Sequence, residues 1–346
     1  MNTRSQSVSK VSPAPDGLFG LHEGDARKLD YLLGKFSSER EPLLTCTITS
    51  PPYGNLKNYG HPDQVGWGQP YDEYLTSLRS IFRNVRKHTR DDGSLWVVVD
   101  TLRPHNEEGI WTLEPLPFQL SQQLTEVGWS LRDIIIWKKN KTVPWASPGR
   151  LRNAFEYVMF FVKTESFKYR VDRLRETDRL EQWWVKWPER YNPLGKFPEN
   201  VWEIPIQTQG QWSSTSIQHA CPLPPDLVER MLFLSTDPGD VVFDPFAGSG
   251  VVLAEAERLG RRPVGIELVK KNKDMYERFV RPEITKRRGR DRLAEQQAHN
   301  EYLYNTILKL RVVKYGRQLL DGAAKAGPDS PSPLLAIVTA DVKKKS

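Results

Sequence analysis

Two short stretches of the chain combine residue types that can do chemistry. In Val241-Val242-Phe243-Asp244-Pro245-Phe246-Ala247-Gly248-Ser249-Gly250, a β-rich run ends in a loop of small residues, and a helix-forming segment follows. Such a loop lets a ligand approach the backbone closely, with amides of the helix N-terminus aimed at its anionic end. The next β-rich run ends in Gly265-Ile266-Glu267-Leu268, which places a carboxylate to accept both hydroxyls of a ribose. No Lys follows Gly250, so this is not a phosphate-gripping nucleotide loop. A ligand with a ribose and a carboxylate but no phosphate fits better, and S-adenosylmethionine is such a molecule. The glycines alone would also serve a tight strand-to-helix turn; Glu267 weighs against that plainer reading.

The second stretch is Ile48-Thr49-Ser50-Pro51-Pro52-Tyr53, at the end of a β-rich run. An exocyclic amino group on a nucleobase is a poor nucleophile, because its lone pair is delocalised into the ring. Two acceptors aimed at its two hydrogens pull the nitrogen towards a tetrahedral, nucleophilic form. Ser50 Oγ and the carbonyl of Pro51 are such a pair, and the two prolines fix the turn that points them at one spot. Tyr53 offers a ring for stacking. A base inside a duplex is out of reach, so it must flip into the pocket. A Pro-Pro loop with a surface Tyr is common in general; what favours chemistry here is the buried strand before it and the second motif in the same chain.

Positioning these turns requires a sheet. Leu43 to Thr49, Ser94 to Val99, Leu131 to Trp137, Glu156 to Val162, Val241 to Phe246 and Pro263 to Leu268 read as strands, with a short one at Gly20 to His22. Helices are expected over Arg27 to Phe36, Tyr71 to His88, Pro117 to Val127, Pro224 to Leu234 and Val251 to Leu259, with Asp91-Asp92-Gly93 as a turn. The alternation predicts an α/β fold with a mainly parallel, doubly wound, Rossmann-like sheet. Residues 1–17 read as a polar leader, 18–282 as the catalytic domain, 283–321 as a helical arm and 322–346 as a basic tail. From about Lys163 to Gln211 periodicity fades and basic residues alternate with Trp183, Trp184, Trp187, Trp202 and, just beyond, Trp212, which marks an insertion.

Thr49 to Tyr53 together with Asp244 to Gly250 resembles the amino-group DNA methyltransferases of bacterial and phage modification systems. The catalytic turn comes first and the cofactor loop last, as in the circularly permuted beta class of that family. The resemblance spans roughly Leu18 to Arg281 and implies a Rossmann-like methyltransferase fold. It also implies S-adenosylmethionine as cofactor, double-stranded DNA as substrate and direct attack by a flipped base. Catalytic roles fall on Ser50, Pro51, Pro52 and Tyr53. Cofactor contacts fall on Asp244, Pro245, Phe246, Ala247, Gly248, Gly250 and Glu267, on Asp25 at the adenine, and on His219 in the Gln218-to-Pro225 segment. Lys196 to Trp202 resembles the stretch that commonly precedes that segment. Three positions depart from the pattern: Val251-Val252 replaces a usual hydroxyl pair, Cys221 stands where a small or apolar residue is frequent, and Phe155-Glu156 where His-Glu is. Cytosine-N4 enzymes of the family mostly carry Thr-Ser before Pro-Pro and adenine enzymes Asp or Asn, so Thr49-Ser50 favours N4 of cytosine over N6 of adenine.

More distant readings are a protein glutamine methyltransferase, whose turn uses Asn and follows its cofactor loop, and an inactive DNA-binding module. The thiols argue against covalent attack: Cys46 sits within a strand and Cys221 precedes a proline rather than following one. Two cysteines cannot build a disulfide scaffold, and with six histidines at no ligand spacing they predict no metal. A net charge of +7 favours a polyanionic partner. Arg170, Arg173, Arg175, Lys186 and Lys196 are the expected phosphate contacts, with the tryptophans mostly structural. No apolar run reaches the roughly 20 residues of a membrane span, and no signal peptide pattern opens the chain. The expectation is a cytoplasmic protein, monomeric or homodimeric, working on the nucleoid, with a separately encoded restriction endonuclease as the partner to look for.

Overall fold

The computed structural model describes residues 17–37, 40–104, 109–140, 149, 151–176, 195–206 and 222–287. They fall into two compact units: one holds the described residues up to Arg170 and from Glu199 to Arg287, the other those from Val171 to Pro198. The larger unit contains strands β1 (Gly20–Glu23), β2 (Leu44–Thr49), β3 (Thr89–Val99), β4 (Ser130–Lys138), β5 (Phe155–Val162), β6 (Val201–Glu203), β7 (Val241–Asp244) and β8 (Arg262–Glu267). They form one eight-stranded sheet in the order β1-β8-β7-β2-β3-β5-β4-β6. Among the described strands β5 alone runs against the rest, since it pairs antiparallel with both β3 and β4 while every other pairing is parallel. This is the mainly parallel α/β sheet that the alternation predicts.

The order places β7 beside β2, although the two are far apart in the chain. From β2 the connection leads to β3 on one side; from β7 it leads to β8 on the other. Loops that diverge in this way open a crevice at the carboxyl ends of the strands, where open α/β sheets bind ligands. The N-terminal β1 closes the β7–β8 half by pairing with β8, from Gly20 against Val264 to Glu23 against Glu267.

The local causes are simple. All of β2 (LTCTIT) is buried, and Pro51-Pro52 ends its ladder for lack of N–H donors. The expected helix at Arg27 to Phe36 is instead a short turn, Ala26–Lys28, followed by α1 (Leu29–Leu33), with Gly34 at its end. Helix α2 (Tyr71–His88) buries Tyr74, Leu78, Ile81, Phe82 and Val85 along one stripe, with Asp72 and Glu73 in its first turn and Arg86 and Lys87 in its last, as the helix dipole favours. Helices α3 (Leu116–Glu126) and α4 (Pro225–Ser235) form where the periodicity places them, each with a proline in its first turn. Behind the sheet, Trp96 of β3 stacks on Phe160 of β5 at 4.1 Å and donates to Ser235 Oγ at 2.8 Å.

Other expectations change too. Asp91-Asp92-Gly93 is not a separate turn but an irregularity inside β3, because the register against β2 jumps from Leu44–Thr89 to Cys46–Ser94. Gly93 is needed there: a Cβ would lie 2.6 Å from Thr89 Cγ2. Strand β7 stops at Asp244, since Pro245 cannot donate to a ladder. Strand β6 has no counterpart among the predicted strands; three residues with one buried Trp leave no period to read. It draws residues 199–206 into the larger unit by pairing with β4. Residues 163–170 belong there too, with Lys168 and Arg170 amides donating to Asp92 and Leu234 carbonyls. Among the described residues no helix is long and apolar enough to cross a membrane.

Candidate active site

Both predicted turns line one cavity of about 540 Å³ in the larger unit. On one side stand Ser50, Pro51, Pro52 and Tyr53; on the other, Asp244 to Ser249 and Glu267, with Gly24 and Asp25 beside them. A hydrogen bond joins the two motifs at their root: Thr49 Oγ1, at the end of β2, donates to Asp244 Oδ1, at the end of β7, at 2.6 Å. The Phe246 amide donates to the same oxygen at 3.0 Å. Asp244 therefore splices the Pro-Pro turn to the glycine loop and shapes that loop from within. Burial pushes its carboxyl up to about 7 against the pull of Thr49 and the Phe246 amide.

Downstream, the loop turns on Gly248 (φ 53°) and Gly250 (φ 78°), the latter capping α5 (Val251–Arg258). These left-handed conformations suit glycine. At Gly250 a Cβ would also lie 2.1 Å from the Tyr276 ring. Glu267, at the end of β8, is buried. Its Oε2 accepts from the Gly248 amide at 2.8 Å, and its Oε1 from the Val269 amide and Asn272 Nδ2 at 2.8 and 3.0 Å. Burial raises its pKa, and these donors offset only part of that rise. A carboxylate has about four lone-pair sites, so three donors leave room for one ribose hydroxyl. Accepting both, as expected from sequence, requires one of these three donors to let go. Asp25 is also engaged: Arg27 holds both its oxygens, at 2.7–3.0 Å. Burial pushes its pKa up, but the hydrogen bonds of Arg27 outweigh that and bring it below the usual range.

The turn at Ser50 to Tyr53 is held by side chains from elsewhere. Tyr74 Oη donates to the Pro52 carbonyl at 2.6 Å. No described residue donates to the carbonyl of Pro51, which leaves it open as an acceptor. The Tyr53 hydroxyl lies 3.1 Å from Ser50 Oγ, 3.1 Å from Glu156 Oε2 and 3.3 Å from the Val98 carbonyl. Burial, then the Glu156 carboxylate, holds its pKa well above the ordinary tyrosine value. From sequence, Thr49 counts as part of the turn and of the cytosine pattern, and Glu156 as a strand start and a departure from pattern, neither with a hydrogen-bonding role. Lys139, Tyr74 and Asn272 have no role there, because nothing in local spacing ties them to either motif.

Cys46 is fully buried, which pushes its thiol up to about 12 and leaves it un-ionised and inert at neutral pH. His219, Cys221, Lys186, Trp183, Trp184, Trp187 and Trp212 lie outside the described residues. Trp202 is buried, with its indole N–H on the Glu199 carbonyl. Of the expected phosphate contacts, Arg170 pairs with Asp237 at 2.9 Å and Lys196 with Glu176 at 3.2 Å. Arg175 departs furthest from expectation. Its side chain is only 9% exposed, pairs with Asp172 at 2.5 Å and lies over the Phe197 ring, as a structural cation of the smaller unit does.

The DNA methylase family N6_N4_Mtase matches residues 44–278, a span that contains both turns. The Type II methyltransferase M.Cfr9I of Citrobacter freundii is 28% identical, over 72% of this chain and 83% of its own. M.SmaI of Serratia marcescens, also a Type II methyltransferase, is 27% identical over 71% of this chain and 86% of its own. A candidate DNA modification methylase from Thermus thermophilus, solved in complex with S-adenosyl-L-methionine, has a similar structure. Its TM-score is 0.51 at 26% identity, covering 74% of this chain and 90% of that one. The cytosine-N4-specific PvuII DNA methyltransferase shares the fold, with a TM-score of 0.57 at 22% identity and coverage of 82% and 92%.

Proposed function

The chain belongs to the N6_N4_Mtase family of DNA methylases and is an S-adenosylmethionine-dependent DNA amino-methyltransferase, and from that premise we propose that its target is N4 of cytosine, presented by base flipping. The observation that carries the reading is the shared cavity, with Thr49 and Asp244 bonded at its root. The choice of cytosine rests on Thr49-Ser50 before Pro51-Pro52, the pattern that resembles cytosine-N4 enzymes.

The residues fit the cofactor. A buried carboxylate with a spare acceptor site, Glu267, takes a ribose hydroxyl, and the turn at Gly248 and Gly250 admits close backbone approach. Asp25 reaches the adenine once Arg27 yields part of its bidentate hold. Bound S-adenosylmethionine supplies an electrophilic sulfonium methyl. Ser50 Oγ and the Pro51 carbonyl accept the two amino hydrogens of the flipped base, which directs the nitrogen lone pair out of the ring. No strong general base is required, because the methylated amino cation is acidic and its proton passes to water or through Ser50. Most of the rate comes from positioning and oriented dipoles. Duplex DNA is held by basic side chains, Arg173 among them, that exchange their present partners for phosphates, as Arg170 and Lys196 must exchange a carboxylate. A separately encoded restriction endonuclease is the partner to look for.

Genomic DNA from a host lacking other methylases, co-expressed with the protein, digested to nucleosides and analysed by mass spectrometry, should yield N4-methyldeoxycytidine. A methyladenine product without methylcytosine overturns the cytosine assignment and leaves the family chemistry intact.

A further inference from the structure

Glu156, on β5, has a carboxylate with both oxygens in use. Oε2 faces the Tyr53 hydroxyl at 3.1 Å and Oε1 accepts from the Lys139 ammonium at 2.9 Å. Glu156 and Lys139 line the same cavity as Ser50, with side chains only 17% and 13% exposed. The proton count at Tyr53 then fixes a direction. A phenol has one proton, and two of its three neighbours, the Glu156 carboxylate and the Val98 carbonyl, can only accept. The Tyr53 proton goes to one of them, and to the carboxylate by preference, since that contact is shorter and charge-assisted. The bond between Tyr53 and Ser50 must run the other way, with Ser50 donating. Having given its one proton to Tyr53, the Ser50 oxygen presents only lone pairs to the cavity. An amino group with two N–H donors needs that arrangement. A Ser50 proton pointing into the cavity would instead meet the target N–H groups head on.

We propose that Glu156 is a positioning residue for methyl transfer: clamped by Lys139, it sets the direction of the Tyr53–Ser50 hydrogen bond, so that Ser50 meets the target amino group as an acceptor only. The proposal rests on the reading of Ser50 as that acceptor. The raised pKa of Tyr53 is consistent with it, keeping the relaying proton on the phenol throughout the neutral range.

The preference for that direction can be removed by one substitution. In Glu156→Gln the side chain has one acceptor and one donor end. Lys139 can only donate, so the amide oxygen turns to it and the NH₂ faces Tyr53. That sends the Tyr53 proton towards Ser50 or Val98. Single-turnover transfer of labelled methyl from S-adenosylmethionine to unmethylated genomic DNA should slow about tenfold, the scale of one hydrogen bond. Cofactor affinity by calorimetry and the melting temperature should stay close to wild type. Adding Lys139→Met removes the competing donor, frees the amide oxygen for Tyr53 and should restore most of the rate. In a Ser50→Ala background, Glu156→Gln should cost nothing further. Tyr53→Phe, which keeps the ring and deletes the relay, should mimic the glutamine variant and serves as the second probe should that variant not fold. A Ser50→Ala enzyme as fast as wild type sinks the acceptor reading itself. If Ser50→Ala is slow, the positioning role is overturned by a further multiplicative loss with Glu156→Gln, by no recovery with Lys139→Met, or by lost cofactor affinity.

Discussion

The two sides of the cavity are built by different means. On the cofactor side, the partners of Glu267 are two backbone amides and one nearby Asn, and Asp244 takes the amide two residues on; everything but Thr49 lies within residues 244–272. On the catalytic side, the four-residue turn is propped by Tyr74, Val98 and Glu156, with Lys139 behind them, drawn from a helix, two strands and the end of a third. A backbone-built site depends on which conformations its residues can adopt. A side-chain-built site depends on individual functional groups that can be deleted one at a time. Damage to the first should therefore abolish binding, and damage to the second should lower turnover in graded steps.

The largest effect is expected at Gly250. Gly250→Ala puts a Cβ 2.1 Å from the Tyr276 ring, and at φ 78° the new residue is strained as well. Overpacking of this kind costs about 1–3 kcal/mol before strain is added. Cofactor binding measured by calorimetry should be lost, with a lowered melting temperature. A variant that binds normally would mean that the loop adapts and that the backbone does not dictate this side.

Next comes Ser50→Ala, which leaves the turn and its prolines in place. Loss of one oriented partner of a reacting group typically lowers turnover by about a hundred- to a thousandfold. Cofactor affinity should survive, which Gly250→Ala does not allow. Equal losses in both measurements would erase the distinction between the two sides.

Asp244 tests how the cofactor side tolerates its buried carboxyl. Its pKa in the folded state is about 7, above the ordinary 3.8, because burial disfavours the charge. The folded protein thus keeps a proton that the unfolded chain releases. The stabilising contribution is fully present below about pH 4 and is lost as pH rises through 7, with a slope of at most about 1.4 kcal/mol per pH unit for one proton. Glu255 and Glu267 are shifted in the same direction, also by burial, and steepen the wild-type curve. Urea midpoints between pH 4 and 8 should fall less steeply for Asp244→Asn, which keeps an oxygen for Thr49 and Phe246. Parallel curves would show that Asp244 titrates as an ordinary surface acid.

This contrast also explains what was legible in the sequence. Gly248, Gly250 and Glu267 are readable because their partners are local and their residue types are dictated by backbone conformation. Ser50 and the prolines are readable because they end a β-rich run. Glu156, Lys139 and Tyr74 are not, since sheet order alone brings β4, β5 and α2 to the turn, and a Glu at the start of a strand carries no spacing signal. The splice from Thr49 to Asp244 spans half the chain and follows from β2 lying against β7. Asp91 to Gly93 misleads for the reverse reason: a strong local turn signal yields to a ladder that resumes at Ser94.

The smallest effect should come from Tyr74→Phe. The ring is buried against Gly54 and Gly66 and stays in place, so only the hydroxyl on the Pro52 carbonyl is lost. One such bond is worth about 1 kcal/mol net, which corresponds to about a fivefold drop in single-turnover rate if it is expressed wholly in the orientation of the turn. Pro52 precedes Tyr53 directly, so a carbonyl free to rotate loosens the Tyr53 hydroxyl and, through it, Ser50. The Thr49–Asp244 bond lies on the other side of Ser50 and should hold the cofactor loop in register regardless. A modest rate loss with unchanged cofactor affinity is therefore the signature of side-chain support acting on the turn alone. Should cofactor affinity fall by the same factor, the turn and the loop move as one rigid piece through Thr49 and Asp244, and the two sides of the cavity are not separable.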